Sequence, residues 1–255
     1  MADVLPRVLI ASASIGSGHV AAARALESAF GEQGAQVLNI DLLDFTSAPF
    51  RRLYREAYFD LVRTAPDLVD WLGKRLDRYP TGKRSQVARL RARLVRLISY
   101  HLPRTISAFE PTLLVHTHFL PAEILSTQRR RPPGPQAVVV TDYVAHRLWV
   151  QPFVGRYFVA TAEVKAPLQS VVQESGSEVV LRGIPVDRRF RHLEEKGVAR
   201  QMLRLPPDRD LLLVMAGGMG AATLETLLRQ LRGMRRYLQV VIVCGRTPEL
   251  QRVAH

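Results

Sequence analysis

Short apolar runs alternate with helical patterns along most of the chain. The first run, residues 8–14, ends in small residues just before Gly16, and a helical pattern follows over residues 19–33. Strands that alternate with helices in this way favour a parallel sheet that is covered on both faces. The pattern therefore predicts an α/β fold with a complete Rossmann-like domain in residues 1–186. The further strands of that domain are predicted at residues 36–43, 112–117, 136–141, 157–162 and 178–181.

Two stretches depart from the regular pattern of this domain. No β-like alternation occurs between about residues 47 and 109, which predicts a helical insertion after the second strand. Residues 187–207 are polar and charged and end in two prolines, which is typical of a linker between domains.

The strand–helix pattern restarts beyond this linker. Residues 211–216 and 238–244 are almost wholly apolar, as parallel strands buried on both faces are, and a helical pattern lies between them. Residues 208–255 are therefore predicted to be the first βαβ unit of a second Rossmann-like domain.

The net charge of the chain says more about its partners than its overall composition does. Of the 255 residues, 47% are hydrophobic and 23% are charged, which is ordinary for a globular protein. The single cysteine, Cys244, excludes an internal disulfide and indicates a reducing compartment such as the cytoplasm. No apolar run is long enough to span a membrane, and the N-terminus lacks a signal-peptide pattern. The formal net charge of +13, however, favours anionic partners.

A concentration of positive charge falls inside the predicted insertion. Between Thr81 and Arg104 there is no Asp or Glu, while aliphatic residues form one helical stripe. A basic amphipathic helix is typical of binding to an anionic membrane surface, and a core-facing helix with a solvated arginine face is the alternative. No nucleic-acid-binding motif accompanies the charge, so nucleic acid is not predicted as a partner. The predicted membrane-binding residues are Lys83, Arg84, Arg89, Arg91, Arg93 and Arg96.

The turn after the first strand, Gly16-Ser17-Gly18-His19, is the first candidate site. Glycines there allow a positive φ or a close approach of ligand, and the dipole of a helix N-terminus favours the neutral, basic form of His19 that a general base needs. The alternative is a dinucleotide fingerprint, since Gly16, Gly18 and Ala21 match G-x-G-x-x-A and Asp41 follows about twenty residues later. That alternative predicts an NAD(P)-dependent oxidoreductase.

Two further groups of residues fall where ligands bind in α/β folds. A second glycine-rich turn follows the strand at residues 211–216 and predicts a phosphate cradle formed by Gly217, Gly218, Met219 and Gly220. Polar residues also follow the third and fourth strands and are expected to line the crevice at the carboxyl ends of the sheet. These residues are His116, Thr117, His118, Thr141, Asp142, His146 and Trp149, and residues 183–185 are expected to lie with them. Because His116 and His118 lack a carboxylate or thiolate partner at useful spacing, no metal site is predicted.

Taken together, these motifs resemble the family of monogalactosyldiacylglycerol synthases and processive diacylglycerol glucosyltransferases, in glycosyltransferase family 28. The resemblance spans about residues 8–244. It is carried by residues 11–23 (ASASIGSGHVAAA), by Thr141-Asp142-Tyr143 with His146 and Trp149, by residues 183–186 (GIPV) and by residues 215–220 (MAGGMG).

The resemblance implies a GT-B fold, in which an N-terminal domain takes a lipid acceptor and a C-terminal domain takes a UDP-sugar. His19 would remove the proton of the acceptor hydroxyl, with Gly16, Ser17 and Gly18 beside it, and the turn of residues 217–220 would face the nucleotide diphosphate. The implied reaction is an inverting transfer of a hexose from a UDP-sugar to diacylglycerol. The implied enzyme is peripheral to the cytoplasmic face of the membrane and uses no metal or other cofactor, with anionic lipid as an activator.

The sequence departs from that family in its C-terminal part. The donor signature of the family, a glycine-rich turn followed by a nucleoside-binding Glu and a Pro-Gly-Gln-Glu-type stretch, has no counterpart. We therefore expect either a fragment of a longer reading frame or a non-catalytic module that keeps acceptor and membrane binding. In both cases the chain alone is expected to bind UDP weakly and not to turn over substrate.

Overall fold

The computed structural model describes seven ranges of the chain, which form two compact units divided between Arg191 and His192. The described ranges are residues 5–48, 51–52, 101–128, 133–216, 221–232, 238–245 and 247–254. The predicted membrane-binding residues (Lys83, Arg84, Arg89, Arg91, Arg93 and Arg96) and the second glycine turn (residues 217–220) lie outside them.

The first unit is built on a six-stranded parallel sheet with the strand order β2-β1-β3-β4-β5-β6. Every apolar run that predicted a strand in this unit overlaps one of them. The fifth run is displaced by three residues, because β5 begins with Val154, Gly155 and Arg156, whose polar and small side chains hide the strand from a hydrophobic pattern. The strands are β1 (Arg7–Ser12), β2 (Gln36–Asp41), β3 (Leu113–His116), β4 (Gln136–Val139), β5 (Val154–Val159) and β6 (Glu178–Leu181).

Helices pack on both faces of this sheet. Leu9 of β1 joins one buried cluster with Ile106 and Ile124, and its neighbour Ile10 joins another with Ala23, because successive strand residues point to opposite faces. This double coverage explains why the central strands are continuous apolar runs. The helices are α1 (Ser17–Glu32), α2 (Leu102–Phe109), α3 (Phe119–Ser126) and α4 (Ala162–Val172). Short 3₁₀ helices span Leu42–Phe45, Arg147–Trp149, Gln173–Ser175 and Arg188–Phe190.

The second unit contains a parallel strand pair joined through a helix. Val214, Ala216, Leu224 and Leu250 form its buried cluster. The α/β class, with a complete Rossmann-like unit followed by a βαβ unit, is therefore confirmed. The residues predicted as a linker include a helix that belongs to this second unit. Its elements are α5 (Lys196–Met202), β7 (Asp210–Met215), α6 (Ala221–Leu231), β8 (Leu238–Val243) and α7 (Pro248–Ala254).

Helix length and polarity bear on membrane insertion. Across the described ranges, none of the helices is both long enough and apolar enough to cross a bilayer.

The loop between β4 and β5 is tied to the sheet by Tyr157. This side chain is fully buried, and its hydroxyl accepts a hydrogen bond from Gln151 N at 3.0 Å and donates one to Gln151 O at 3.2 Å. Burial raises the pKa of the phenol, so the hydroxyl keeps the proton that it donates. The loop that carries Trp149 is thus held to β5 by two hydrogen bonds of one side chain.

We expect Tyr157→Phe to lower the free energy of unfolding by about 1–3 kcal/mol, because it removes two hydrogen bonds to the half-buried backbone of Gln151. Urea titration followed by tryptophan fluorescence measures this, since both tryptophans lie in the first unit. Tyr143→Phe is the matched control, because Tyr143 is 70% exposed and its change should be within about 0.5 kcal/mol. Equal stabilities of the two variants would contradict the assigned role of Tyr157.

Candidate functional site

The strand order reverses between β1 and β3, and this switch point positions the candidate site. β1 is flanked by β2 on one side and by β3 on the other, so the chain leaves the sheet in opposite directions from β1 and from β3. In open α/β sheets the ligand crevice lies outside the carboxyl ends of the strands at such a point. The segment 16–19 follows β1 there, and Thr117 and His118 follow β3.

Helix α1 begins directly at the glycine turn. Gly16 is its N-cap residue, with an extended φ of −156°, and no side chain caps the helix. Neither Gly16 nor Gly18 has a positive φ, so of the two reasons given for glycine at this turn only the close approach of a ligand remains. A Cβ at Gly18 would meet no described atom within 4 Å. The glycines therefore leave open space beside the first amides of α1, which suits the close approach of a ligand.

His19 lies in the first turn of α1 and is held from the two neighbouring strands. Its Nδ1 atom is 3.1 Å from Thr117 O and 2.5 Å from Thr141 Oγ1. The hydroxyl of Thr117 donates to His19 O at 2.9 Å. The ring is half-buried, so it is both fixed and accessible.

His19 is one of five rings in mutual contact, which we call the ring cluster: His19, His118, Phe119, His146 and Trp149. The His118 ring meets His19 edge to face with centroids 4.6 Å apart, and it stacks on Phe119 at 4.3 Å. Trp149 lies 6.4 Å from His19 and 6.1 Å from His146. Asp142 holds this tryptophan, since its Oδ2 accepts a hydrogen bond from Trp149 Nε1 at 3.2 Å. The structure thus brings together five of the predicted site residues: His19, His118, Asp142, His146 and Trp149.

Phe119 is the member of the ring cluster that sequence reasoning missed. It is the first residue of α3, and its ring packs between His118 and His146. The available signal was its place directly after His118, at the start of the apolar segment FLPAEIL.

His118 is a neutral, capping histidine. Its Nδ1 accepts a hydrogen bond from Leu120 N at 3.1 Å and so caps α3. Burial, followed by the nearby His19 and His146, holds the pKa of His118 well below the ordinary range. Because the Nδ1 lone pair is engaged, the proton of the neutral ring lies on Nε2. His118 can therefore donate a hydrogen bond through Nε2.

His116, which was predicted to line the crevice, lies in the core instead. Its side chain is fully buried, and its Nε2 is 2.9 Å from the Gln136 side-chain oxygen, which can only accept. His116 is the last residue of β3 and points into the sheet interior, which the i, i+2 spacing with His118 could not reveal. Burial lowers the pKa of His116 to about 4, so the ring is neutral at pH 7.

Asp41, the acidic residue of the alternative dinucleotide fingerprint, accepts hydrogen bonds from the backbone. Its Oδ1 accepts hydrogen bonds from Ser14 N at 3.1 Å and from Leu43 N at 3.0 Å. It thereby ties the loop after β1 to the end of β2. No group of three potential metal ligands occurs in the part of the chain that the structure describes.

A groove of about 950 Å³ lies on the first unit, and its lining includes none of the residues predicted to bind the acceptor or the donor. Leu26 and Phe30 of α1 line it together with Val139 and Phe158 of the sheet. Residues 183–185, which were expected to lie with the polar residues at the carboxyl ends of the strands, form part of its wall. The sequence patterns did not predict this groove.

The fold and this site define a Rossmann-like protein with a glycine–histidine turn at its switch point. A family model described as monogalactosyldiacylglycerol (MGDG) synthase matches residues 19–186. The chain belongs to that family, as the motifs predicted.

Two curated relatives are both called processive diacylglycerol beta-glucosyltransferase. The protein of Bacillus licheniformis is 30% identical over 152 residues, which cover 59% of this chain and 39% of the relative. The protein of Staphylococcus aureus (strain JH9) is 33% identical over 147 residues, which cover 56% of this chain and 37% of the relative. The matched segment thus spans less than two fifths of each relative.

Two solved structures are similar to the chain at low sequence identity. Acinetobacter baumannii MurG gives a TM-score of 0.47 at 14% identity, over 97% of this chain and 68% of that one. UDP-GlcNAc 2-epimerase from Neisseria meningitidis, bound to UDP-GlcNAc, gives 0.49 at 13% identity, over 98% and 68%.

The buried His116 makes stability depend on pH. Burial lowers its pKa to about 4 in the folded protein, whereas the pKa of an unfolded histidine is about 6.5. As pH falls below 6.5 the unfolded chain therefore gains a proton that the folded chain does not, and the free energy of unfolding drops until about pH 4 by up to about 3 kcal/mol.

We expect urea titrations at pH 7 and pH 4.5 to show a smaller loss of unfolding free energy for His116→Gln than for the unaltered protein. His192→Gln, at an exposed position, is the control, and an unchanged pH dependence of His116→Gln would contradict the assignment.

Proposed function

We propose that this chain is the acceptor-binding part of a glycosyltransferase that moves a hexose from a UDP-sugar to the free hydroxyl of diacylglycerol, in glycolipid synthesis. Membership of the MGDG synthase family and the names of the two curated relatives support this substrate class. The observation that carries the proposal is the fixed, accessible His19 at the switch point of the sheet.

His19 acts as the general base in this proposal. Its Nδ1 is occupied by Thr117 and Thr141, so Nε2 is the nitrogen left for the acceptor hydroxyl. The hydroxyl oxygen attacks the anomeric carbon while its proton passes to His19, and the bond from that carbon to the diphosphate breaks. Attack from the side opposite the leaving group inverts the anomeric centre and releases UDP.

The surroundings of His19 suit a lipid acceptor. Trp149 presents an apolar ring surface beside the His19 imidazole, Phe119 stacks on the neighbouring His118, and His118 is held neutral by burial. Such walls exclude water from the reacting hydroxyl and tolerate the glycerol and acyl carbons next to it.

The donor side of the reaction is assigned to the second unit. Helix α6 begins at Ala221, and the four residues before it, GGMG, were predicted from the sequence to form a phosphate-binding turn. Backbone amides at a helix N-terminus bind phosphate groups, so this turn would hold the diphosphate and stabilise its departure without a metal ion.

The chain is further proposed to bind the cytoplasmic face of the membrane as a peripheral protein. Its net charge of +13 and the carboxylate-free stretch between Thr81 and Arg104 support attraction to anionic lipid, which would also act as an activator.

Replacing the base should abolish transfer with little effect on donor binding. We expect His19→Ala to lower kcat by about 100-fold to 10,000-fold, because a general base contributes a factor of that size. The measurement is sugar transfer from UDP-glucose or UDP-galactose to dioleoylglycerol in mixed micelles, by the protein expressed from its full reading frame. His192→Ala, which removes an exposed histidine, is the matched control. Near-normal turnover by His19→Ala would remove His19 from the mechanism.

Acceptor binding can be followed on the 255-residue chain itself. With Trp71 changed to Phe, Trp149 becomes the single tryptophan and reports on the ring cluster. We expect dioctanoylglycerol, which has a free hydroxyl, to change its emission at lower concentration than dioctanoylphosphatidylcholine, which lacks one. The same response to both lipids would contradict recognition of the hydroxyl.

Membrane attachment should depend on charge. We expect flotation with vesicles that contain phosphatidylglycerol, little with phosphatidylcholine alone, and weaker binding at high salt, since each cation contributes on the order of 1 kcal/mol. Changing Arg89, Arg93 and Arg96 to Glu should reduce flotation. A control variant with the same change of net charge carries Glu at three exposed positions, Arg24, Arg182 and Arg191. Equal losses in both variants would assign the effect to overall charge and contradict a specific helix.

A further inference from the structure

Three short contacts form a closed triangle around one nitrogen of His19. The imidazole Nδ1 lies 3.1 Å from Thr117 O and 2.5 Å from Thr141 Oγ1, and Thr141 Oγ1 lies 3.3 Å from Thr117 O. A backbone carbonyl can only accept hydrogen bonds, whereas a threonine hydroxyl donates one and accepts others. The triangle therefore restricts where the protons can be.

For the neutral imidazole, only one placement of the protons satisfies all three contacts. If the imidazole proton lies on Nδ1, that nitrogen donates to Thr117 O and to Thr141 Oγ1, and the Thr141 hydroxyl proton is free to donate to Thr117 O. If the proton lies on Nε2, the Thr141 hydroxyl must donate to Nδ1. The Nδ1 and Thr141 oxygen lone pairs then both face the carbonyl oxygen, which is left without a donor from the triangle.

We propose that Thr141 is a positioning residue that, together with the backbone of Thr117, holds His19 in the tautomer with its proton on Nδ1 and its lone pair on Nε2. The hydrogen bond at one imidazole nitrogen sets the chemistry of the other. The catalytic meaning of this tautomer rests on the proposed function, because it presents Nε2 as the base. The tautomer itself does not depend on whether the protein transfers sugar.

The contacts of Thr117 and Thr141 with His19, which we call the clamp, come from residues at the ends of sheet strands. Thr117 follows β3 directly, its N–H donates to Ala11 O at 3.1 Å, and its hydroxyl holds His19 O at 2.9 Å. Thr141 follows β4, where Val140 N donates to Phe158 O at 2.8 Å. Both partners of the imidazole thus come from the carboxyl ends of neighbouring strands. A pair of backbone-anchored threonines fixes the orientation of the ring as well as its proton.

The spectroscopic test is a long-range ¹H–¹⁵N correlation spectrum of the chain labelled with ¹⁵N-histidine, recorded at pH 8, where ordinary histidines are neutral. His19→Gln assigns the signals of His19. We expect Nδ1 to show the shift of a protonated nitrogen and Nε2 that of a bare nitrogen. The reverse pattern in the unaltered protein would overturn the proposal without any variant.

Variants of Thr141 test its own part in the clamp. Thr141→Val keeps the shape and removes the hydroxyl, so we expect the ratio of the Nε2–H to the Nδ1–H tautomer to rise about threefold to tenfold, the usual effect of one hydrogen bond. Thr141→Ser should restore the original ratio. Thr127→Val is the matched control, because Thr127 makes the same kind of hydroxyl-to-carbonyl bond, to Ile124 O, away from His19. Thr141→Ala tests the same loss if the valine variant does not fold.

An unchanged tautomer ratio in Thr141→Val or Thr141→Ala, or a failure of serine to restore it, would overturn the role of Thr141. In the transfer assay, Thr141→Val should lower kcat while the KM for diacylglycerol stays within about twofold, and serine should restore kcat. If the protein from the full reading frame shows the expected tautomer but transfers no sugar, the proposed function is contradicted and the role of Thr141 stands.

Discussion

The contact between His19 Nδ1 and the carbonyl of Thr117 is the constraint on which the candidate site depends. It links the first turn of α1 to the end of β3, which are 98 residues apart in sequence and adjacent only because β3 pairs with β1. The other groups of the site are arranged around this link. Thr141, which follows β4, contacts the same nitrogen of His19. The His118 ring lies edge to face against the His19 ring, and Asp142 holds Trp149 nearby through a hydrogen bond. The parallel sheet therefore supplies the geometry, and the segments that follow its strands supply the chemistry.

Burial divides the histidines of this region into different roles. His116 and His118 lie two residues apart, yet one is a core residue bonded to Gln136 and the other caps α3 inside the ring cluster. Desolvation lowers the pKa of both and keeps them neutral. His19 remains half-buried on a helix that no side chain caps, and it is the histidine to which we assign proton transfer in the proposed function. Neutral neighbours also spare a protonated His19 the repulsion of a second positive charge.

The sequence predicted the sheet and most of the site because both follow local rules. Apolar runs mark β1 to β6, and residues that directly follow parallel strands must meet at one edge, so His19, His118 and Asp142 could be grouped without coordinates. The burial of His116 could not be predicted, because hydrophobic periodicity does not show whether the last residue of a strand is buried. The triangle with Thr117 and Thr141 also escaped prediction, since it depends on atomic distances and on a backbone carbonyl that sequence patterns do not display. Phe119 was missed because an aromatic residue at the start of an apolar helix looks like ordinary core.

The central claim, that the ring cluster receives the free hydroxyl of the lipid acceptor, is tested most directly by photolabelling. A short-chain diacylglycerol that carries a diazirine beside its free hydroxyl is irradiated with the protein, and the labelled residue is identified by mass spectrometry. The account predicts labelling in the segments that hold His19, Phe119 or Trp149, with loss of the label when unmodified dioctanoylglycerol competes. Labelling confined to the groove beside α1, at Phe30 or Phe158, would contradict it.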